Sequence, residues 1–438
     1  MKRDASHDHA LHEAEHHHHE RKQVIISLVI LFLLITGTIA VVLYGTGYRF
    51  GFQKGKPTVS KTGILVSNSE PRGAQVFIDG HLTTATDTTL NLTPGEYAVK
   101  IVKDGYFPWE KRLRIQEKVV TVADARLFPI ALKLEGVSST GVQSPVLDPQ
   151  RTKIAFTVGT QTFRRNGVYV YDMTTNPVLT LQGTAKQIVD DTFDTFSKSI
   201  LAWSPDSQQI MATISAKSSR NASYYILDSN GFNNTPQDVT AILTSTEDAW
   251  KVLAADEEKA RMDSLKRPVR DLIRNNFDIL SWSPDDTKML YIAKRDATLP
   301  LMIKPRLLGI TNALSEERDI KEGKVYVYSV KDDVNVKLFD TLPDGCPGDE
   351  TTSACSFPVT WFPDSEHLIF VNDKKIEIME YDGTNKTTVY AGPFLDHYVF
   401  PWPDGSKLVV LTNLNNASIE PNLYTVSLRL IEKLQMLH

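Results

Sequence analysis

Seven histidines near the beginning of the 438-residue chain form its densest group of side chains with ligand chemistry. Four of them are consecutive, and the other three precede this run at residues 7, 9 and 12. Neutral imidazole commonly binds divalent transition metals, so the run is a candidate metal-binding tract. The alternative is a disordered, solvated tail, or in part an expression tag. The candidate ligands are His16, His17, His18 and His19.

The chain has two cysteines, Cys346 and Cys355, separated by eight residues rich in Gly, Pro and Thr. Such a segment is typical of a turn whose ends approach to disulfide distance. No histidine lies nearby to complete a metal site. The sequence therefore favours a loop-closing disulfide, which requires an oxidising compartment, over two free thiols.

The sequence lacks the motifs that commonly mark an enzyme active site. It has no Gly-x-Ser-x-Gly turn, no phosphate-binding loop and no His-Glu-x-x-His pair. The histidines beyond the N-terminal tract are scattered: His81, His367, His397 and His438. We therefore expect no catalytic residue and no cofactor. The net charge of −5, with both signs interspersed, disfavours nucleic acid as a partner.

Residues 24–43 are twenty consecutive residues without a charge. At a rise of 1.5 Å per residue, about 20 residues cross a hydrocarbon core of about 30 Å. Arg21 and Lys22 flank one end, and Tyr44 and Arg49 follow the other, where interfacial anchors belong. The run is apolar on every face, unlike a core helix, and is longer than the apolar part of a cleaved signal peptide. It predicts an uncleaved signal anchor in the lipid bilayer.

The charges on the two sides of this anchor are nearly balanced and do not decide its orientation. Long domains are translocated largely regardless of flanking charge, so we expect the bulk of the chain outside the cytoplasm. Residues 1–23 would then be a cytoplasmic His-rich tail, and residues 44–61 a juxtamembrane linker. The predicted location is the cell membrane, with a single pass.

Residues 62–130 contain short alternating runs separated by Asp-Gly and Pro-Gly pairs, which predict a compact all-β module. Its phrases are Pro71-Arg72-Gly73-Ala74, Val76-Phe77-Ile78-Asp79-Gly80, Leu92-Thr93-Pro94-Gly95-Glu96-Tyr97 and Lys103-Asp104-Gly105-Tyr106. Together they resemble the PEGA domain. The resemblance implies a small β-sandwich of bacterial and archaeal surface proteins, with a role in binding or spacing at the envelope and no catalytic residues.

Four aromatic residues of this module could in principle stack on a sugar: Tyr97, Tyr106, Phe107 and Trp109. Packing in the core of the module explains most of them more simply.

A short phrase recurs five times between residues 146 and 405: an apolar lead-in, Pro-Asp or a near copy, then an apolar strand. Pro presets a turn and Asp can bond to its own backbone, so the phrase predicts a hairpin turn. The Trp ahead of it would pack between neighbouring units. The first copy, Val146-Leu147-Asp148-Pro149, has no Trp. The remaining motif residues, given a structural role, are Trp203, Pro205, Asp206, Trp282, Pro284, Asp285, Trp361, Pro363, Asp364, Trp402, Pro403 and Asp404.

Each copy of the phrase begins a small antiparallel sheet that cannot bury both faces alone, so several copies predict a β-propeller over residues 135–438. The Trp-Ser-Pro-Asp form resembles the repeat of TolB-like propellers, which implies a shape and a binding role. The prolines are 56, 79, 79 and 40 residues apart. We expect about five blades, with six as the alternative, and a helical insertion at about 245–275.

The expected protein is mainly β: a transmembrane helix, a PEGA-type sandwich and a propeller. It would bind or organise the cell envelope by recognising a protein, peptide or glycan, without catalysis. One alternative is attachment to the cell wall or a glycan through the PEGA-type module. A less favoured one is an envelope hydrolase with an unrecognised site.

Overall fold

The computed structural model describes residues 26–42, 48–53, 56–174, 185–215, 222–304, 316–342, 359–395 and 398–429. The candidate ligands His16 to His19 and the predicted disulfide of Cys346 and Cys355 lie outside these residues. Within them the fold is mainly β, as the sequence predicts.

The N-terminal part consists of a helix and a hairpin. Residues 26–42 form α1, whose large apolar side chains are all more than half exposed, as Phe32 is at 68%. Among the described helices, none combines the length and the apolar character that crossing a membrane requires. The predicted linker contains a hairpin of two strands, β1 (Tyr48–Gln53) and β2 (Lys56–Lys61).

The sandwich module follows with seven strands. They are β3 (Gly63–Glu70), β4 (Gln75–Ile78), β5 (His81–Ala85), β6 (Thr88–Leu92), β7 (Gly95–Val102), β8 (Trp109–Ile115) and β9 (Val120–Arg126). One sheet has the order β6-β3-β9 and the other β5-β4-β7-β8. Alternate residues of β3 and β9 are buried. The buried face of β3 and β9 therefore points into the core between the sheets, where Leu65 lies with Ile101 and Leu113 of the other sheet.

The repeat region begins with the short strand β10 (Leu134–Gly136) and then forms two four-stranded antiparallel sheets. Sheet I contains β11 (Gln143–Leu147), β12 (Lys153–Val158), β13 (Gly167–Asp172) and β14 (Lys186–Asp190). Sheet II contains β15 (Ile200–Trp203), β16 (Gln209–Ile214), β17 (Ser223–Asp228) and β18 (Gln237–Asp238).

Two helices come next, α2 (Leu243–Ser264) and α3 (Arg267–Asn276), close to the predicted insertion. Sheet III contains β19 (Phe277–Trp282) and β20 (Lys288–Ala293), then β23 (Val325–Ser329) and β24 (Val334–Phe339). Between them, β21 (Ala297–Thr298) pairs with β22 (Asp319–Ile320). Sheet IV contains β25 (Val359–Trp361), β26 (His367–Asn372), β27 (Lys375–Glu380) and β28 (Thr387–Tyr390).

Sheet V joins the two ends of the repeat region. Its last three strands are β29 (Val399–Pro401), β30 (Lys407–Thr412) and β31 (Asn422–Ser427). The fourth strand is β10, in which Leu134 lies opposite Val426. The described part of the chain thus contains five four-stranded sheets in this region, one for each copy of the repeat phrase.

Neighbouring sheets share apolar cores. Leu201 of sheet II packs with Val168 of sheet I, and Phe400 of sheet V packs with Phe156 of sheet I. Similar shared cores join sheet III to sheet IV and sheet IV to sheet V. Since a small sheet exposes two apolar faces, each sheet here buries its faces against its neighbours.

The helices occupy the junction between sheets II and III. Trp250 of α2 packs on a small cluster of sheet II that includes Met211. Met262 of α2 and Ile273 of α3 pack with Phe277 and other side chains of sheet III. At the junction between sheets II and III, the two helices therefore take the place of the direct contact between sheets that the other junctions have.

The sandwich module is docked on sheet IV through buried polar contacts. The indole N–H of Trp109 donates to Glu380, and the Lys111 ammonium pairs with Glu380 and, at 2.6 Å, with Asp382. Burial alone lowers the pKa of Lys111, but the two carboxylates outweigh it and raise that pKa above its ordinary value.

A second contact centres on Arg126, which pairs with Asp364 at 3.2 Å and with Glu70 at 3.3 Å. Its guanidinium lies 4.8 Å from the ring centre of Phe362. Gly405 permits this close packing, because a Cβ atom there would lie 2.8 Å from the Phe362 ring. Aromatic, apolar and ionic contacts together hold the two parts of the chain in one orientation.

Removing the buried cation Lys111 tests how much the interface between the sandwich module and sheet IV contributes to stability. Lys111→Met should lower the free energy of unfolding by about 3–5 kcal/mol, because it leaves two buried carboxylates without their cation. Lys100→Met is the matched control, since its partner Glu110 and Lys100 itself are 59% and 48% exposed. That control should cost at most about 1 kcal/mol. Urea unfolding of both variants measures the difference, and equal losses would show that the interface contributes little.

Candidate functional site

The five repeat turns share one backbone conformation. In each, a main-chain hydrogen bond of 2.8–3.1 Å closes a four-residue turn that begins just before the Pro. The residue two positions after the Pro then has a positive φ. These residues are Arg151 (58°), Ser207 (59°), Asp286 (55°), Ser365 (62°) and Gly405 (68°). Only Gly405 is of the residue type that adopts this conformation without strain.

The polar residues of the repeat phrase stabilise these turns. In sheet II the Ser204 hydroxyl donates to Asp206 at 2.6 Å and accepts the main-chain N–H of Gln209. Ser283 and Asp285 repeat the same contact in sheet III. In the divergent first copy, the carboxylate of Asp148 itself accepts main-chain N–H groups. These side chains are therefore occupied in building the turns.

Asp364 also has a partner outside its own turn, Arg126 of the sandwich module. It accepts the main-chain N–H of Glu366, lies 2.8 Å from His367 Nδ1 and pairs with Arg126 of the sandwich module. Burial alone raises the pKa of this carboxyl. The contacts with His367, Glu366 and Arg126 outweigh burial and bring the pKa down to about 2.

Three of the four Trp residues of the repeat phrase link their sheet to the element before it. Trp203 donates its indole N–H to the Val146 carbonyl of sheet I at 3.0 Å. Trp361 reaches the Ser281 carbonyl of sheet III at 3.5 Å. Trp282 has α2 before it instead, and it donates to the carboxylate of Glu258 at 3.1 Å.

A cavity of about 1020 Å³ opens at the junction between sheets II and III, where α2 lies. The repeat turns of sheets I, II and III and one face of α2 line it, together with strand β19. Its volume lies at the upper end of the range of small-molecule sites, about 300–1,000 Å³. We refer to it as the junction cavity.

The helical wall of the junction cavity carries Glu257, Glu258 and Arg261, of which Arg261 forms ion pairs. Arg261 lies 3.2 Å from Asp286 and 3.7 Å from Glu258. Arg151 differs, since the one described hydrogen bond of its side chain is a 3.4 Å contact with the Trp361 carbonyl. Burial lowers the pKa of its guanidinium, and the positive charge of Arg261 lowers that pKa further.

The aromatic residues considered for sugar stacking are mostly covered. Trp109 is 4% exposed and lies at the interface with sheet IV, and Tyr106 is 9% exposed. Tyr97 is half-buried and hydrogen-bonds to Thr93. Trp109 therefore does not present the open ring face that the glycan alternative requires.

Sequence reasoning missed the main features of the junction cavity. Arg151 was overlooked because it sits in the divergent copy of the phrase, and nothing local to it indicates a positive φ or a cavity. Glu258 and Arg261 lie in a segment with many charged residues, and the sequence does not distinguish them from the others. Within the described residues, no group of three or more His, Cys, Asp or Glu side chains is arranged to hold a metal ion.

Residues 62–130 match the family model of the PEGA domain, which confirms the predicted module with the same boundaries. The match describes this module and not the whole chain. No curated protein sequence matches the chain.

Several solved structures are similar over large parts of the chain. A putative TolB from Agrobacterium tumefaciens is 13% identical, covering 64% of this chain and 76% of its own, with a TM-score of 0.21. TolB from Acinetobacter baumannii is 14% identical, covering 76% of this chain and 60% of its own, with a TM-score of 0.22. TM-scores this low do not establish a shared fold, so the description of the sheets rests on their own strand pairing.

The low pKa of Asp364 makes part of the stability depend on pH. Because its folded-state pKa is depressed, this carboxylate stabilises the fold above pH ~4 and loses that contribution as the pH falls towards 2. A depression of nearly two units corresponds to about 2 kcal/mol. Asp364→Asn should therefore be less stable than the parent by about that amount near neutral pH.

This difference should shrink between pH ~4 and ~2, as urea unfolding at several pH values will measure. The control is Asp404→Asn, in the corresponding turn of sheet V, where the carboxylate is exposed and accepts the Ser406 N–H. A pH-independent difference for Asp364→Asn would contradict the assigned role of its charge.

Proposed function

We propose that this chain is a membrane-anchored, extracytoplasmic binding and scaffold protein of the cell envelope, without catalytic activity. Its repeat region would be a five-bladed propeller that recognises a protein or peptide in the junction cavity. The observation that carries this proposal is that cavity: a concave, mixed polar and apolar site built where sheets II and III are held apart by a helix.

The composition of the site supports binding rather than a reaction. The Asp and Ser residues of the repeat turns are already hydrogen-bonded within their own turns. The pairing of β10 with β31 and the apolar cores between successive sheets support a closed ring in which α2 completes the junction. Such a ring would be a rigid frame for the cavity.

The docking of the PEGA domain supports the scaffold role. Its contacts with sheet IV fix the orientation of the repeat region relative to the PEGA domain itself. A module of this kind would hold the propeller at a set distance from the bilayer. A PEGA-based glycan reader is less favoured, because Trp109 is covered by that docking.

The anchoring role rests on α1 and its flanks. Residues 24–43 are uncharged, and the described helix from 26 to 42 makes its apolar side chains available on every face. Exposing such a helix to water is costly, whereas lipid accommodates it.

Filling the junction cavity tests the recognition site. In Ala254→Trp, a bulky ring on the α2 face that lines the cavity should exclude a ligand without altering the sheets. The control, Ala249→Trp, places the same ring at an exposed position of α2 outside the cavity lining. The full chain in detergent is used to capture partners from envelope extracts, and Ala254→Trp alone should lose them.

Two other results would count against the proposal. If both variants keep the same partners, then the junction cavity is not the recognition site. If the parent chain retains no specific partner at all, then the recognition role itself fails.

Charges placed in the apolar segment test the anchor. Each Arg at the centre of a membrane helix costs about 2.5–3.5 kcal/mol, so Leu31→Arg with Leu34→Arg should move the chain from the membrane to the soluble fraction. Leu82→Arg is the control, because Leu82 is 60% exposed and lies in the sandwich module. If the double variant stays in alkali-washed membranes, then the anchor lies elsewhere.

A further inference from the structure

The hairpin between α1 and the sandwich module has two different faces. Its strands β1 and β2 pair in antiparallel register, so residues directly opposite each other share a face and successive residues alternate between faces. One face carries Tyr48, Phe50, Phe52, Pro57, Val59 and Lys61, and the other carries Arg49, Gly51, Gln53, Lys56, Thr58 and Ser60. All three aromatic residues of the hairpin therefore share one face, which we call the aromatic face.

The aromatic face requires a surface that covers it. In the part of the chain that the structure describes, β1 and β2 form a sheet of two strands that shares no ladder with the sheets of the sandwich module. A two-stranded sheet is at best marginally stable in water unless it packs against something apolar. Aromatic rings contribute large apolar areas, so covering this face stabilises the hairpin.

The position of the hairpin in the chain puts a bilayer surface within its reach. The helix α1 ends at residue 42, and β1 begins at Tyr48. The six peptide units between them span at most about 20 Å. If residues 24–43 cross the membrane, as proposed above, the hairpin begins close to the boundary between lipid and water. Aromatic side chains are enriched at that boundary.

The charge of the hairpin fits an anionic lipid surface. Its two strands contain Arg49, Lys56 and Lys61 and no Asp or Glu. In the sequence no acidic residue occurs between Glu20 and Glu70, although the whole chain has a net charge of −5. A basic segment beside a membrane helix is attracted to anionic headgroups. Arg and Lys side chains can also reach phosphates while their stems stay on an apolar surface.

Resting on the proposed function, we propose that the hairpin of β1 and β2 is a second membrane contact, which binds the surface of a bilayer containing anionic phospholipid. Its aromatic face lies at the boundary between headgroups and acyl chains, and Arg49 and Lys56 pair with headgroup phosphates. The sandwich module begins at Gly63, directly after β2. In this arrangement α1 holds the chain in the membrane, and the hairpin sets how the sandwich module stands on its surface.

The test places a Trp on each face of the hairpin in the full chain, reconstituted into vesicles whose brominated acyl chains quench nearby indole fluorescence. The six native Trp residues all follow residue 108, and the parent chain measures their background. The added emission of Phe50→Trp should be quenched at least about twofold more than that of Thr58→Trp, because an interfacial apolar face reaches about 5–10 Å into the lipid boundary. Phe52→Trp should behave like Phe50→Trp.

Lipid composition tests the charge requirement. Quenching of Phe50→Trp should be stronger with about 30% phosphatidylglycerol than with phosphatidylcholine alone, because the anionic lipid attracts the basic strands. Adding Arg49→Gln and Lys56→Gln to Phe50→Trp should remove this increase. The matched control adds Lys374→Gln and Lys375→Gln instead, which remove two exposed cations from a hairpin of sheet IV and should keep it.

Three results would overturn the inference. Phe50→Trp and Thr58→Trp could be quenched equally, neither could be quenched above the background, or phosphatidylglycerol could act equally on the variant without Arg49 and Lys56. Flotation of the vesicles separates this inference from the proposed function. If the parent chain floats with the vesicles but neither Trp variant is quenched, only the role of the hairpin falls; if the parent chain does not float, the anchor falls with it.

Discussion

One contact recurs at three junctions of the repeat region, the hydrogen bond from the Trp of a repeat phrase to the element that precedes its sheet. Trp203 and Trp361 each reach a main-chain carbonyl on the first strand of the sheet before them. An indole buried in this way adds apolar area and satisfies its single donor, so it sets how closely two sheets approach. Trp282 makes the corresponding hydrogen bond to Glu258, which connects α2 to sheet III.

The junction cavity exists because a helix, and not a neighbouring sheet, packs against sheet III at this point. A sheet covers its neighbour with a broad apolar face, whereas α2 contacts sheet III mainly through Glu258, Arg261 and Met262 and is otherwise largely exposed. The space beside the helix is therefore not filled by side chains. It lies against the repeat turns, one of which adds the positive charge of Arg151 to the lining.

The turn of sheet IV shows how the same phrase serves a second purpose. Where sheets II and III have Ser204 and Ser283, this copy has Phe362, whose ring packs against Arg126 and Phe128 of the sandwich module. Asp364 keeps its turn contacts and adds the ion pair with Arg126. The PEGA domain is thus held by residues that also form a repeat turn, which couples its position to the frame around the junction cavity.

The sequence alone was sufficient for the mainly β fold, the PEGA domain, the repeat turns and the helical insertion. These follow from local patterns: alternation, turn-forming pairs and a recurring Pro-Asp. The tertiary structure decided what depends on contacts remote in sequence. Trp109 is covered because Glu380, 271 positions away, accepts its N–H, and Arg151 faces a cavity because three sheets and a helix meet there. Local sequence patterns do not predict such contacts, because they depend on how whole sheets pack against one another.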